Sequence, residues 1–296
     1  MQHELTSKLE SNYTNYIPLL FLALLILAAY FQVITSLIKV WWSDDNYSHG
    51  FLIPLVSGYF IHQKKEKLAQ VACENCNIGL VLFIIGLTIY IIGVSAAEYF
   101  STSLSFIIVI LGLTLYLYGK SFLKEIWFPI IFLCFMIPLP YVIYYNVTFP
   151  MQLLSTRVAA LILQLFGFPI TQQGNIIHLQ NYSLEVVEAC SGLRSLITLT
   201  ALAAAMGYMT QKTTFSRIFI LLLAIPIAIG ANVFRIILTA IAAVLISPKL
   251  ADGFLHDISG LVVFLVGFLS LQIAGVSINW LKKMKDYEPV VTQHFN

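Results

Sequence analysis

Eight apolar runs separated by short polar breaks organise this chain: 17–38, 49–62, 78–95, 103–119, 126–146, 190–209, 217–247 and 258–280. Most reach or approach the ~18 consecutive apolar residues that read as a membrane helix. The pattern predicts an all-α polytopic membrane protein with about eight transmembrane helices. The second run is short and holds Pro54 and Gly58. Composition agrees, with 59% hydrophobic and 10% charged residues over 296 positions, more apolar surface than a soluble domain of this length has a core to hide. No internal repeat or low-complexity stretch divides the chain, so residues 1–296 read as a single integral membrane domain with short cytoplasmic tails. Met1–Asn15 carries His3, Glu4, Lys8 and Glu10 and lacks a short apolar core with a small-residue cleavage site. The first run is therefore expected to be an anchor and not a cleaved signal peptide.

Basic residues set the expected orientation. Eleven of the 16 Lys and Arg fall in the N-terminal tail, the loops at 62–77, 119–125 and 210–217, and the tail after 281. Lys39, Arg157 and Lys249 fall in the opposite loops, and Arg194 and Arg235 lie inside apolar runs. Both termini are thus expected in the cytoplasm. Parity then forbids a full crossing by the stretch from Met151 to Phe168, because span 126–146 ends outside and span 190–209 begins there. With Gln152, Ser155, Arg157 and Gln164, it reads as an amphipathic helix in the outer interface. Gly174 to Val187 alternates Ile176, His178, Gln180 and then Tyr182, Leu184, Val186 about Asn181, which predicts a small β-hairpin over the outer face.

The candidate chemistry sits at that outer level. Val187-Glu188-Ala189-Cys190-Ser191-Gly192-Leu193-Arg194 opens the sixth span. A helix N-terminus favours an anion and lowers a thiol pKa from its free value near ~8.5. Arg194 follows Cys190 by one turn on the same face. In the seventh span, Arg235 lies 18 residues beyond Arg217, roughly 27 Å along a helix and near the outer edge of the hydrocarbon core. Asn232 shares its face. His256 and Asp257 come just before the last span, in an outer loop that runs from Ser247. Three segments thus bring a cysteine, an arginine and a histidine to one membrane depth. Cys190 as thiolate suits attack on a carbonyl, and His256 suits general acid–base work. Arg235 stays protonated and suits stabilisation of a thiolate or an oxyanion. Asn232 or Asp257 suits an orienting role, and Glu188 is open to pairing with Arg194 or Arg235, since an unpaired carboxylate near Cys190 would raise the thiol pKa.

Each group alone has a plainer reading. A lone membrane cysteine is usually a small apolar filler, and a lone arginine near a span end usually snorkels. Their convergence at one depth is what points to function, since ionisable groups within spans are costly. Cys73-Glu-Asn-Cys76 supplies two thiols with no histidine run nearby, so no metal is expected, and four cysteines give no disulfide framework. A net charge of +2 argues for no nucleic-acid partner. Trp41-Trp42-Ser-Asp44-Asp45-Asn-Tyr47-Ser-His49-Gly50 reads equally as an interfacial aromatic belt or as a substrate-binding loop that uses Tyr47 and His49.

Glu188-Ala-Cys190-Ser-Gly-Leu-Arg194, Asn232-Val-Phe-Arg235 and His256-Asp257-Ile-Ser-Gly260, in that order, resemble the exosortase/archaeosortase family, and Tyr47-Ser-His49-Gly-Phe-Leu-Ile-Pro54 is similar to its N-terminal signature. The resemblance covers roughly residues 41–275. It implies a membrane cysteine transpeptidase that needs no cofactor, with Cys190 as nucleophile, Arg235 as essential arginine and His256 as third member. The implied partners are membrane lipid and secreted proteins with a C-terminal tail of short motif (Pro-Glu-Pro in the best-known group), membrane helix and basic cluster. The implied setting is the inner membrane of bacteria that make extracellular polysaccharide, with the site facing the periplasm. Some relatives carry an extra C-terminal soluble domain, which is not expected here. The acceptor and the oligomeric state are not written in the sequence. A transporter or flippase for a lipid-linked saccharide is the competing class; it predicts charges at the midplane and inverted repeats. A membrane acyltransferase or thiol hydrolase would differ from a transpeptidase only in substrate.

Overall fold

The computed structural model describes residues 18–179, 183–186, 193–245 and 254–291, with the side chains of 193, 254–259 and 285–291 outside that description. The chain divides into two compact units, Met1–Pro138 and Leu139–Asn296.

In the first unit, α1 (Pro18–Ala29) and α2 (Phe31–Ser43) meet at a 60° bend. Tyr30 fills that bend, fully buried, with its hydroxyl 2.9 Å from Ser105 Oγ. A 3-10 turn at Asp45–Phe51 leads into α3 (Leu52–Gln63), and α4 (Lys65–Gln70) follows. The long pair is α5 (Asn77–Ser95) and α6 (Tyr99–Phe132). Gly79, Gly86 and Gly93 recur every seven residues and are the buried positions of α5. Seven residues is close to two turns, so they line one stripe. A Cβ at Gly79 would run into Tyr116 N, and one at Gly112 into Phe83 N. The two backbones therefore touch, as small residues allow in membrane helices. Gly79→Leu is expected to cost roughly 1–3 kcal/mol or more through overpacking, read as a lower Tm in detergent. Gly58→Ala, with nothing within 4 Å of the added Cβ, should be neutral.

Glu98 caps α6 by accepting from Phe100 N at 3.0 Å and Ser101 N at 2.6 Å. The Ser101 side chain, together with these two amides, holds its carboxyl below the usual carboxylate range. A depressed folded pKa contributes stability above the unfolded value near 4.5, lost as pH falls through it. Melting in detergent between pH 7 and pH 4 should show an acid-side drop that is smaller in Glu98→Gln.

The loop expected at 119–125 is instead a break within α6. Gly119 adopts φ 82 and leaves room for Glu74 O, and the helix resumes. Glu125 on the resumed segment pairs with Lys67 at 2.8 Å and Lys64 at 3.3 Å. A 3-10 turn, Leu133–Met136, ends this stretch. Pro138 and Pro140 have no N–H, so Phe135 O and Met136 O lose the donors that a continuing helix would supply at i+3 and i+4. Side chains from earlier in the chain replace them: Trp41 Nε1 donates to Met136 O at 2.8 Å and His49 Nε2 to Phe135 O at 3.2 Å. Ser57 Oγ likewise donates to Pro129 O, within α6, at 2.7 Å.

In the second unit, α7 is one helix over Tyr141–Leu165, starting after Pro140. It fuses the end of the expected span 126–146 with the expected amphipathic helix. Of the polar residues expected to face water, Gln152 and Ser155 are buried, as are Thr148 and Thr156, while Arg157 and Gln164 are exposed. A three-stranded antiparallel sheet follows, β1 (Thr171–Gln173), β2 (Ile176–His178) and β3 (Ser183–Glu185), in that order. Its register pairs Gln172 with Ile177 and Ile177 with Leu184. β1 and β2 turn through Gly174-Asn175, where Gly174 has φ 63, as a type II′ hairpin requires. Ile177, Leu184 and Val186 are the buried side chains of the sheet.

Three helices complete the unit: α8 (Leu193–Thr210), α9 (Thr214–Leu245) and α10 (Phe254–Val291). α9 serves two cores. One face packs Ile220, Ala224 and Ala228 with Leu199, Ala203 and Leu271 of α8 and α10. Another packs Val233, Ile236 and Ala240 with Ala159 and Leu163 of α7 and with Ile177 and Leu184 of the sheet.

Among the described residues four helices are long and apolar enough to cross a membrane: Asn77–Ser95, Tyr99–Met136, Thr214–Leu245 and Gly260–Met284. The bent pair of α1 and α2 makes up to five. The fold is that of a polytopic helical membrane protein. It differs from eight separate spans partly because 49–62 divides into a 3-10 turn and a 12-residue helix, and because 103–119 and part of 126–146 share α6.

Candidate active site

Helical geometry sets the site on α9. Asn232, Arg235 and Thr239 are spaced i, i+3, i+7 and form a strip between the two core faces of that helix. Thr239 Oγ1 donates to Arg235 O at 2.9 Å. Arg235 is half-buried. On one side it reaches α10, where a Cβ at Gly260 would lie 4.0 Å from Arg235 Nη2. Glycine there leaves the guanidinium its space. On the other side, Arg235, Ile236 and Thr239 line a crevice of about 10 Å³ with Leu184, Glu185 and Val186. The sheet and α10 thus both border Arg235. Gly260→Ala, in ordinary contact at 4.0 Å, should leave any reaction of the site nearly unchanged. Gly260→Leu should displace the guanidinium and lower the rate of any reaction there by about tenfold or more.

Asn232 is 1% exposed, and neither its Nδ2 nor its Oδ1 has a hydrogen-bond partner among the described residues. His256 and Asp257 fall in the first turn of α10 and not in a loop, since that helix begins at Phe254. An acidic residue in a first turn favours such a start. His256 precedes Gly260 by four residues and so shares its helix face; the side chains of both His256 and Asp257 lie outside the described residues. Arg194 is exposed, in the first turn of α8. Glu188 and Cys190 lie outside the described residues, between Val186, which lines the crevice, and Leu193, where α8 begins.

Residues 41–272 match the sequence profile of the transmembrane exosortase family, Exosortase_EpsH. The chain belongs to that family. No curated protein and no solved structure matches it. The match takes in every candidate residue of this exosortase, from Tyr47 to Asp257, and its bounds fall close to the expected 41–275.

Tyr47 and His49 belong to the exosortase's first unit, where Tyr47 is 5% exposed and His49 serves the Phe135 carbonyl. Three residues at Arg235 carried no weight in the sequence reading. Thr239 was legible as the residue one turn beyond Arg235. Gly260 was visible within its motif but without a reason for its size. Glu185 had no local signal: only the packing of β3 against α9 brings it to the crevice.

Proposed function

We propose that this exosortase is a membrane cysteine protease and transpeptidase that removes the C-terminal sorting tails of secreted proteins. The observation that carries the reading is the convergence on Arg235 of the strand end leading to Cys190 and of the helix face that His256 shares with Gly260. Four residues separate Val186 from Cys190, so chain length alone keeps the cysteine Cα within ~14 Å of a residue that lines the Arg235 crevice.

In this reading the Cys190 thiolate attacks the scissile carbonyl, and Arg235 steadies the oxyanion. Collapse of the tetrahedral adduct breaks the C–N bond. His256 gives a proton to the departing amine, and a thioester joins substrate and enzyme. An acceptor amine, or water, then attacks the thioester, gives up its proton to His256 and releases the Cys190 thiolate. Arg194, Asn232, Glu188 and Asp257 support these groups. The substrate tail is a short motif, a membrane helix and a basic cluster, held beside the enzyme in the bilayer, where confinement supplies much of the proximity. The setting is the bacterial inner membrane, with both termini cytoplasmic and the site on the periplasmic side.

The test is co-expression with a secreted reporter that ends in a Pro-Glu-Pro segment, a membrane helix and a basic cluster. Tail loss in the presence of the enzyme, with a new C-terminal mass that identifies the acceptor, is the expected result. Reporters that stay intact across several tail types would sink the proposal.

A further inference from the structure

Among the described residues the sheet has an open edge that the reaction scheme leaves unused. Within them, the strand order β1-β2-β3 gives β3 a ladder on one side only. One bond sets the phase of that ladder: Val186 N donates to Asn175 O at 2.9 Å, and Asn175 Nδ2 donates back to Val186 O at 3.2 Å. In an antiparallel pair, bonded and non-bonded partners alternate. Asn175 and Val186 are bonded, so Ile176↔Glu185 is non-bonded, Ile177↔Leu184 bonded and His178↔Ser183 non-bonded. The II′ turn agrees, because a two-residue loop closes on a bonded pair, Gln173 and Ile176, and so aims the peptide groups of Ile176 at β1. Ser183 and Glu185 therefore direct their N–H and C=O groups away from β2. No backbone of a described residue hydrogen-bonds to those outward groups. Both residues are exposed, while Leu184 between them is buried and anchors the strand.

Two donors and two acceptors along an extended edge are complementary to another extended backbone, as in recognition by strand addition. The place of this edge selects which backbone. β3 runs directly into the crevice shared by Glu185, Val186 and Arg235. A strand laid along β3 has one end at the crevice that Arg235 lines.

We propose that β3 is the docking rail of the substrate: the segment just before the substrate's membrane helix adds to the sheet as a fourth strand. This rests on the transpeptidase reading and names how that site takes its peptide. The rail reads backbone, so it holds the peptide extended and in register, and alternate peptide N–H groups face Ser183 and Glu185. The side-chain bond between His178 Nδ1 and Ser183 Oγ, 2.9 Å, ties β2 to β3 at that register pair.

The test separates docking from cleavage. The Pro-Glu-Pro reporter carries a photoreactive p-benzoylphenylalanine in the segment before its membrane helix, and adducts on the full-length enzyme are mapped by mass spectrometry. Adducts at residues 183–186 and not at 171–173 are expected. Glu185→Pro removes one outward N–H and should lower adduct yield by roughly tenfold against Glu185→Ala. Proline scanning of the reporter segment gives the same answer even if Glu185→Pro fails to fold: adduct yield should fall at every second position. Adducts on β3 without cleavage would leave the rail standing and remove the transpeptidase. Cleavage with no preference for β3, or with no period of two in the scan, would overturn the rail alone.

Discussion

Cys190→Ala should abolish tail cleavage, to at most about one part in a thousand of the wild-type rate, while the protein keeps its fold. The size follows from the chemistry: without the thiolate no thioester forms, and neither Arg235 nor His256 is a nucleophile of comparable power at neutral pH. The fold should survive because Cys→Ala removes a single sulfur atom, while the described cores of the second unit rest on residues such as Leu199, Ala224 and Leu271, or Ile177, Val233 and Ile236. Pulse-chase of the reporter gives the rate, and gel filtration with thermal melting in detergent gives the fold. Equal trimming by wild type and Cys190→Ala would remove the cysteine from the mechanism and return the transporter class to consideration.

Arg235→Lys should be the second-largest loss, on the order of 10²–10³ in turnover, as for removal of a donor to a developing oxyanion. Charge is conserved in this substitution, so the loss measures geometry. The guanidinium is a planar fork of donors lodged beside Gly260, while an ammonium is a compact, mobile point charge. Stability should change little, because Arg235 is half-buried at the seam and not within either core. Turnover near wild type in Arg235→Lys would mean that the position supplies charge alone.

Much of this was legible in the chain, for identifiable reasons. Apolar runs such as 78–95 announce α5 because lipid imposes length and hydrophobicity on a single helix. The order of the Cys190, Arg235 and His256 motifs announced the family because it is a linear property. Helix ends were less legible. Pro138 and Pro140 were visible as breaks, yet the sequence could not say that Leu133–Met136 would tighten into a 3-10 turn held by Trp41 and His49. Gly119 read as part of a loop, because one residue at positive φ can bend a helix without ending it. At the site, Glu185 was invisible for a different reason: its closeness to Arg235 depends on the packing of two segments about 50 residues apart.

The three side-chain bonds that finish the first unit also fix an order of events during synthesis. Trp41, His49 and Ser57 leave the ribosome early, and the carbonyls they satisfy follow 95, 86 and 72 residues later. Until Pro129, Phe135 and Met136 have been made, a hydroxyl, an imidazole and an indole already delivered to the membrane lack these acceptors. The nascent chain must shelter them, through water, lipid headgroups or the insertion machinery, for the whole interval in which α5 and α6 are being threaded into the bilayer.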